Sequence, residues 1–334
     1  MFGFFQNGGS RCFVVNTPDD QPVAGGPDGG GLKELEPEDE VAIVAAPGRA
    51  DPESYDALLS HCETLKDRVA ILDAPPTVKD LTQLTQVATA TRRPSGGGEG
   101  GSTTSTRGEK AGLRPRQSDG GFGTVYFPSI TTRDPLGTEL VDVAPSGHIA
   151  GIWARTDATR GVHKAPANEI IRGALNVTQR LTFEDQGVLN PVGVNCIRYF
   201  PREGIRVWGA RTLADASSEW RYLNVRRLFN MIEESVAEAT RWIVFEPNDR
   251  TLWKSIRRDI GAFLTRVWRD GALMGRVPQE AFFVKCDEET NPPDSIDAGF
   301  VIAIIGIAPV KPAEFVVFRI SQHAGGVEIA AEGV

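Results

Sequence analysis

Short apolar runs alternate with amphipathic segments in the first third of the chain. Residues 40–49 and 68–75 are apolar runs of strand length, and residues 52–66 between them carry apolar side chains at helical spacing. A strand, a helix and a strand in this order predict two parallel strands joined by a crossover helix. The pattern therefore indicates an α/β domain. Three further elements are predicted: a strand at 10–17, a helix at 78–90 and a strand at 122–130.

The second half of the chain has longer amphipathic elements. Residues 195–213 predict two strands around a Pro-Arg-Glu-Gly turn. Residues 219–242 and 249–271 place apolar side chains three and four positions apart, which predicts two long helices. Asn248 or Asp249 is a suitable cap for the second helix. Strands are predicted afterwards at 280–287, 298–310 and 313–321.

Residues 92–121 interrupt the first domain with a segment of different composition. Leu113 is its one aliphatic side chain larger than alanine, and glycine, serine, threonine and charged residues make up most of the rest. Such a segment buries too little apolar surface to offset the entropy lost on ordering. We therefore predict a flexible insertion that faces outward.

Composition limits the possible partners. The 334 residues suggest two domains, and 40% hydrophobic residues are enough for a substantial core. The net charge of −8 disfavours nucleic acid, because phosphates bind basic surfaces. The longest apolar run, residues 300–310, is shorter than the roughly 20 residues that cross a bilayer, so no direct membrane insertion is predicted. The four cysteines form no CxxC pair, which indicates reduced thiols in the cytoplasm.

Residues 146–168 hold two of the four histidines and many charged side chains, but they match no catalytic pattern. His148 and His163 are too far apart to share one helical face as metal ligands. The chain has no GxSxG motif and no phosphate loop, and His61 and Asp73 lack a serine partner. No catalytic, cofactor-binding or metal-binding residue is predicted. The pattern instead predicts a helix that Ser146 caps and Gly161 ends.

Several long segments carry a specific resemblance. They are PSGHIAGIWARTDATRGVHKAPANE (145–169), LNPVGVNCIRYFPREGIRVWGARTL (189–213), WRYLNVRRLFNMIEES (220–235), AFLTRVWRDGAL (262–273) and PAEFVVFRI (312–320). In order and spacing they resemble the tail sheath proteins of contractile phage tails and related contractile injection systems. The resemblance extends from residue 40 to residue 321 and is weakest across the insertion.

The resemblance implies a structural protein with no enzymatic activity. It implies an α/β domain of subtilisin-like topology without catalytic residues at 1–188, an α+β sheath C-terminal domain at 189–310 and an extended strand arm at 311–334. Sheath proteins begin some tens of residues earlier, so the usual N-terminal arm is expected to be missing or supplied from elsewhere.

In this family, many copies assemble around an inner tube in an extended state and contract to drive the tube through a target envelope. The implied partners are copies of the chain itself, the inner tube protein, the baseplate and a terminal cap. Assembly is expected in the cytoplasm, as part of a phage tail or a tail-like particle that can be released from the cell. A non-contracting cap or baseplate component and a subtilisin-like hydrolase remain as alternatives.

Three groups of residues are predicted to make assembly contacts. The strand arm, with an edge open to partner strands, contains Phe315, Val316, Val317, Phe318 and Ile320. The basic face of helix 249–271, expected on the inner tube, contains Lys254, Arg257, Arg258, Arg266 and Arg269. Charged contacts between subunits are expected at Arg155, Asp157, Arg160, Lys164, Arg226 and Arg227. Charge reversal of Arg226 and Arg227 is expected to impair assembly more than folding.

Overall fold

A computed structural model describes residues 1–17, 21–26, 29–89, 112–315, 319–323 and 326–331, with the backbone alone beyond residue 315. The helices are α1 (Phe2–Gln6), α2 (Pro52–Leu65), α3 (Ser146–Arg160), α4 (Phe183–Leu189), α5 (Leu223–Ala239), α6 (Arg250–Arg269), α7 (Pro278–Ala281) and α8 (Pro293–Asp297). The strands are β1 (Ile43–Ala45), β2 (Val69–Asp73), β3 (Gly123–Phe127), β4 (Ile130–Arg133), β5 (Leu140–Val143), β6 (Glu169–Ile170), β7 (Ala174–Val177), β8 (Val194–Phe200), β9 (Gly204–Trp208), β10 (Phe282–Lys285), β11 (Ile304–Ile307), β12 (Arg319–His323) and β13 (Gly326–Ala331).

The first domain is built on a six-stranded sheet in the order β1-β2-β3-β8-β9-β6. Strands β1, β2, β3 and β8 are parallel, whereas β9 and β6 are antiparallel to their neighbours. Helix α2 joins β1 to β2, so the predicted β-α-β unit and the α/β fold class are confirmed. A small sheet, β5-β4-β7, follows directly after β3 in the chain.

Both faces of the six-stranded sheet are covered, because its strands alternate their side chains between two cores. Ala70 and Leu72 of β2 pack into the cluster that contains the α2 residues, whereas Val69 and Ile71 pack into the cluster that contains Trp153 of α3. This alternation follows from the two-residue period of a strand, and it explains the continuous apolar run in the sequence. Each fully buried Leu or Ile contributes about 1.5–3 kcal/mol.

The second domain packs α5 and α6 against a two-stranded sheet of β10 and β11. Helix α6 buries Leu252, Ile256, Ile260 and Leu264, which follow the predicted spacing. Asp249 accepts hydrogen bonds from the backbone N–H groups of residues 251 and 252, and so it is the cap. None of the helices in the described ranges is both long and apolar enough to cross a membrane.

Four sequence-based boundaries need correction. Residues 10–17 lie beside the sheet but form no ladder with its described strands. In the predicted helix 78–90, the described residues 78–89 contain a short 3₁₀ helix at Leu81–Thr85 and no α-helix. Helix 219–242 begins later, at Leu223. A domain boundary at 188/189 would divide the six-stranded sheet, because β8 and β9 belong to it.

The predicted insertion at 92–121 is too long at its C-terminal end. Residues 92–111 lie outside the described residues, but residues 112–121 are held by the first domain. Arg116 pairs with Asp56 at 2.6 Å and with Glu63 at 2.8 Å, and the buried Ser118 hydroxyl donates to Glu63. These polar contacts, with the packing of Leu113 against the first core, hold a segment that is otherwise poor in apolar side chains, which is why composition alone predicted flexibility.

Candidate assembly surfaces

The sheet of β10 and β11 combines a buried face with an exposed apolar face. Val284 and Ile305 face each other across the two strands and pack against the second core, whereas Phe283 is 56% exposed. In the described part of the chain this sheet has two strands, and so it presents an open edge on each side. An open edge with apolar neighbours is a template for strands from other chains.

The C-terminal arm leaves the domain at a well-defined anchor. Glu314 forms a bidentate ion pair with Arg211 at 2.6–3.2 Å and also accepts from the hydroxyl of Tyr222. Lys311 pairs with Glu219 at 2.5 Å. The arm therefore starts after Glu314 and not at residue 311. The next residue, Phe315, is 59% exposed.

Beyond the anchor, the arm carries its own pair of strands. Strand β12 pairs antiparallel with β13, and Ile320 lies opposite Ile329. This pair forms a separate two-stranded sheet within the described residues. Val316, Val317 and Phe318 lie outside the described residues. Of the predicted arm residues, the structure therefore places Phe315 and Ile320 beyond the anchor.

The anchor also shifts the protonation of Glu314. Burial favours the neutral carboxyl, but the hydrogen bonds and charge of Arg211 outweigh burial and hold the pKa of Glu314 below its usual value. Both side chains are largely shielded from solvent, which makes this pair stronger than a surface ion pair. The carboxylate is therefore ionised throughout the neutral range.

Helix α6 presents most of its predicted basic face to solvent. Lys254, Arg258, Arg266 and Arg269 are exposed, opposite the buried stripe of the helix. Arg258 pairs with Asp259 at 2.8 Å. Arg257 does not belong to this exposed face, contrary to the prediction. It is partly buried and donates to the backbone carbonyl of Cys286, and so it stabilises the second domain.

The predicted inter-subunit charges on and after α3 have partners in their own chain. Arg155 donates to the backbone carbonyls of residues 7 and 170. Asp157 accepts two hydrogen bonds from Arg227 at 2.6 and 2.9 Å. Lys164 pairs with Glu169 at 2.9 Å. Arg160, at the end of α3, is exposed and remains a predicted contact.

Arg226 and Arg227 are buried in the body of the subunit, which overturns their sequence-based assignment. Arg226 bonds to Asn230 at 2.7 Å and its guanidinium lies 4.2 Å from the ring centroid of Trp220. Burial lowers the pKa of Arg226. Arg227 stacks on Trp153 while it pairs with Asp157, and so it joins α5 to α3. Because both side chains are buried and paired within the chain, charge reversal is now expected to disrupt the fold first, whereas the sequence led us to expect an effect on assembly.

The carboxyl end of the parallel strands, where α/β proteins bind ligands, is closed by the start of α3. Asp73 at the end of β2 accepts from the backbone N–H of Ser146 at 2.9 Å, from its hydroxyl at 2.6 Å and from Gly48 at 3.1 Å. Burial raises the pKa of Asp73 despite these bonds. The Asp73 carboxylate therefore caps the start of α3, and its hydrogen-bond partners are Ser146 and Gly48 rather than a histidine.

His148 and His61 have structural roles. His148 is buried beneath α1, and a Cβ atom on Gly3 would come within 2.3 Å of its ring. Burial and the neighbouring N-terminal charge lower the pKa of His148 to about 4. His61 lies beside the buried guanidinium of Arg68, and burial followed by this charge lowers its pKa. Within the described ranges no cluster of histidine, cysteine, aspartate and glutamate could hold a metal ion.

Sequence reasoning missed an apolar surface between α5 and α6. Phe245 is fully exposed and Val244 is 64% exposed, and both stand in a segment that the sequence presents as a simple link between helices. Asn248 connects this link to Phe300, which is also exposed. The available signal was the pair of large apolar residues directly before Glu-Pro-Asn-Asp, a run typical of a turn.

Comparison with known proteins decides the family. The phage tail sheath protein central domain matches residues 30–213, and the phage tail sheath C-terminal domain matches residues 215–323. The chain belongs to the phage tail sheath family. The division between the two matches falls after β9 and before α5, where the sheet order also places it.

Individual sheath proteins agree with this assignment. The tail sheath protein of Vibrio phage KVP40 is 30% identical over 175 residues, which is 51% of this chain and 25% of that protein. A chain of the contracted sheath complex of an extracellular contractile injection system, PVC, is 29% identical with a TM-score of 0.74, covering 97% of this chain and 79% of that chain. A chain from the anti-feeding prophage baseplate is 32% identical with a TM-score of 0.73, covering 96% of this chain and 79% of that one. The chain spans about a quarter to a half of the length of the curated relatives it matches.

Proposed function

We propose that this sheath-family chain is a structural subunit of a contractile sheath, which assembles around an inner tube in an extended state and contracts to drive the tube through a target envelope. The observation that carries the proposal is the open two-stranded sheet of the second domain, which exposes Phe283 on one face, together with the arm that projects beyond Glu314. Unpaired strand edges beside apolar side chains are templates for strands from other chains. Strands exchanged between copies would link the subunits into one connected mesh.

The proposed partners are further copies of the chain, the inner tube protein, the baseplate and a terminal cap. We propose assembly in the cytoplasm and a final place in a phage tail or tail-like particle. We also infer that the chain catalyses no reaction. This inference is supported by Asp73, the buried carboxylate at the carboxyl end of the parallel strands, which already accepts three hydrogen bonds from Ser146 and Gly48.

The arm supplies the first test. Deletion of residues 315–334 should leave the unfolding free energy of the subunit unchanged and abolish long tubes in electron micrographs. The matched variant Ile320→Pro keeps the length of the arm but removes a backbone donor from β12, and it should also block tube growth. Normal striated tubes from both variants would contradict the role of the arm.

A non-contracting baseplate or cap component is the second candidate, since one of the similar chains comes from a baseplate structure. Micrographs of purified wild-type assemblies separate the two possibilities. Long cylinders that shorten support the sheath, whereas discs or single rings support the second candidate.

The basic face of α6 is the proposed contact with the inner tube. Lys254, Arg266 and Arg269 are exposed, and many weak ion pairs with an acidic tube wall would hold the sheath yet release it on contraction. The variant with all three changed to glutamate should fail to assemble around tubes. A control with the exposed Arg133, Arg172 and Arg180 changed to glutamate carries the same charge difference on the first domain. Equal assembly by both variants would place the grip elsewhere.

A further inference from the structure

The link between α5 and α6 contains a tight turn with an unusual central residue. The backbone N–H of Glu246 donates to the carbonyl of Ile243 at 3.0 Å. Val244 has φ −62° and ψ 125°, and Phe245 has φ 72°. These angles are those of a type II turn, whose third position requires positive φ and favours glycine or asparagine. Here that position holds phenylalanine, a bulky residue for which the left-handed region is sterically unfavourable.

No contact in the described part of the chain compensates for this choice. The Phe245 side chain is fully exposed, and Val244 beside it is largely exposed. The turn is also held in place: Asn248 accepts from the indole N–H of Trp253 at 2.8 Å and donates to the carbonyl of Phe300 at 2.9 Å. The backbone under the ring is therefore held in place before any contact forms, which lowers the part of the ordering cost that the backbone would contribute. Exposed aromatic side chains on a fixed backbone are typical anchors of protein interfaces.

A groove that fits such an anchor lies on the first domain. It has a volume of about 680 Å³ and runs between residues 10–17 and the edge strand β1. Phe13, Val14, Leu32 and Val41 contribute apolar walls. Phe245 does not occupy the groove of its own subunit, because its ring is fully exposed. Cys12 lines the groove as well and is exposed.

We propose that Phe245 of one subunit inserts into the groove beside β1 of a neighbouring subunit. An apolar knob and an apolar pocket at different places on one chain make a head-to-tail contact, and such a contact generates a helical assembly when it does not close into a ring. The inference rests on the proposed sheath function, and it names a contact that is independent of the strand arm and of the basic face.

The chain itself offers a cross-linking test. The variant Phe245→Cys places a thiol at the tip of the turn, opposite the native Cys12 of the neighbour. Mild oxidation of assembled particles should give a ladder of covalently linked chains on non-reducing gels. The ladder should disappear in Phe245→Cys with Cys12→Ser, and it should be absent in Leu136→Cys, whose residue is equally exposed on another loop.

Two results would overturn the contact. One is assembled Phe245→Cys particles without linked chains. The other is a fast-migrating single chain, which indicates a bond within one subunit; the ion pair of Arg241 with Asp39, near the groove, makes this control necessary. If the particles still form tubes, either result rules out the Phe245 contact but does not contradict the proposed sheath function. That function fails instead in the arm-deletion test.

A second variant covers the case in which Phe245→Cys does not assemble. Phe245→Gly suits the positive φ, so the unfolding equilibrium constant of the free subunit should fall by about threefold. The same variant removes the anchor, so the subunit concentration needed for polymer should rise by about 30-fold. A stabilised subunit that polymerises as the wild type does would overturn the proposal.

Discussion

The six-stranded sheet of the first domain and the two-stranded sheet of β10 and β11 treat their surfaces in opposite ways. The first is covered on both faces by helices, and charged residues beside it such as Asp157 and Lys164 are paired within the chain. The second leaves Phe283 exposed on one face and both of its edges open in the described residues. Apolar burial is thus most complete around the first sheet, whereas the second sheet keeps apolar and edge surfaces that we propose for assembly. Four predictions test this division, from the largest effect to the smallest.

Arg227 joins the two helices that frame this division. Arg227→Ala leaves Asp157 without its bidentate partner and removes the stacking on Trp153, so the unfolding free energy should fall by about 2–3 kcal/mol. This is less than for a fully buried pair, because the Asp157 side chain is 30% exposed. Urea denaturation measures the change. Arg160→Ala, on the exposed end of α3, should stay within about 0.5 kcal/mol of the wild type. Equal losses of unfolding free energy in Arg227→Ala and Arg160→Ala would contradict the difference between the buried pair and the exposed end of α3.

His148 makes the first domain sensitive to acid. Its folded pKa of about 4 is below the unfolded value of about 6.5, so stability is complete above pH 6.5 and falls as the pH drops towards 4. The loss over this range should be about 2–3 kcal/mol. His148→Gln cannot take up the proton, and its unfolding free energy should change less over the same range. Parallel pH profiles for the two proteins would contradict the buried, neutral state of His148.

Glu314 ties the arm to the first domain through Arg211. Because the folded pKa of Glu314 is lowered, its contribution is complete above the unfolded pKa of about 4.5 and is lost as the pH falls through the folded value. At neutral pH, Glu314→Gln should destabilise this attachment by about 1–2 kcal/mol. Hydrogen exchange near residues 312–315 should report it. A difference that persists at pH 2 would indicate packing rather than charge.

Helix caps should not distinguish the two regions. Asp51 accepts from the backbone N–H of Ser54 at the start of α2, and Asp249 plays the same role for α6. Alanine at either position should lower the unfolding free energy by about 1 kcal/mol. Thermal denaturation of both variants measures it. A much larger loss at one cap would contradict the expected similarity of the two regions.

The elements that local periodicity encodes were predictable from the sequence. Helices α2 and α6 follow the spacing of their apolar residues, and the turn between β8 and β9 follows from Pro-Arg-Glu-Gly. Residues 10–17 have the apolar pattern of a strand but form no ladder with β1. Local sequence cannot show whether such a segment lies close enough to a sheet to pair with it.

Long-range partners were not predictable. Arg227 and Asp157 are 70 positions apart, and without the fold both resemble free surface charges. Phe245 looks like an ordinary apolar residue until its backbone angles and exposure are known. The arm and the basic face were found because composition and resemblance mark them, yet the true start of the arm depends on Glu314 meeting Arg211.

The same anchor defines how tension on the arm enters the subunit. A pull on Phe315 is carried first by Glu314 to the Arg211 guanidinium. The backbone N–H of Arg211 is bonded to Asn195 of β8, and Asn195 is bonded in turn to the carbonyl of Val125 in β3. Load applied at the end of the chain therefore reaches the middle of the six-stranded sheet across three polar links, beside the contact of Glu314 with Tyr222 at the start of α5 and the covalent path back to β11.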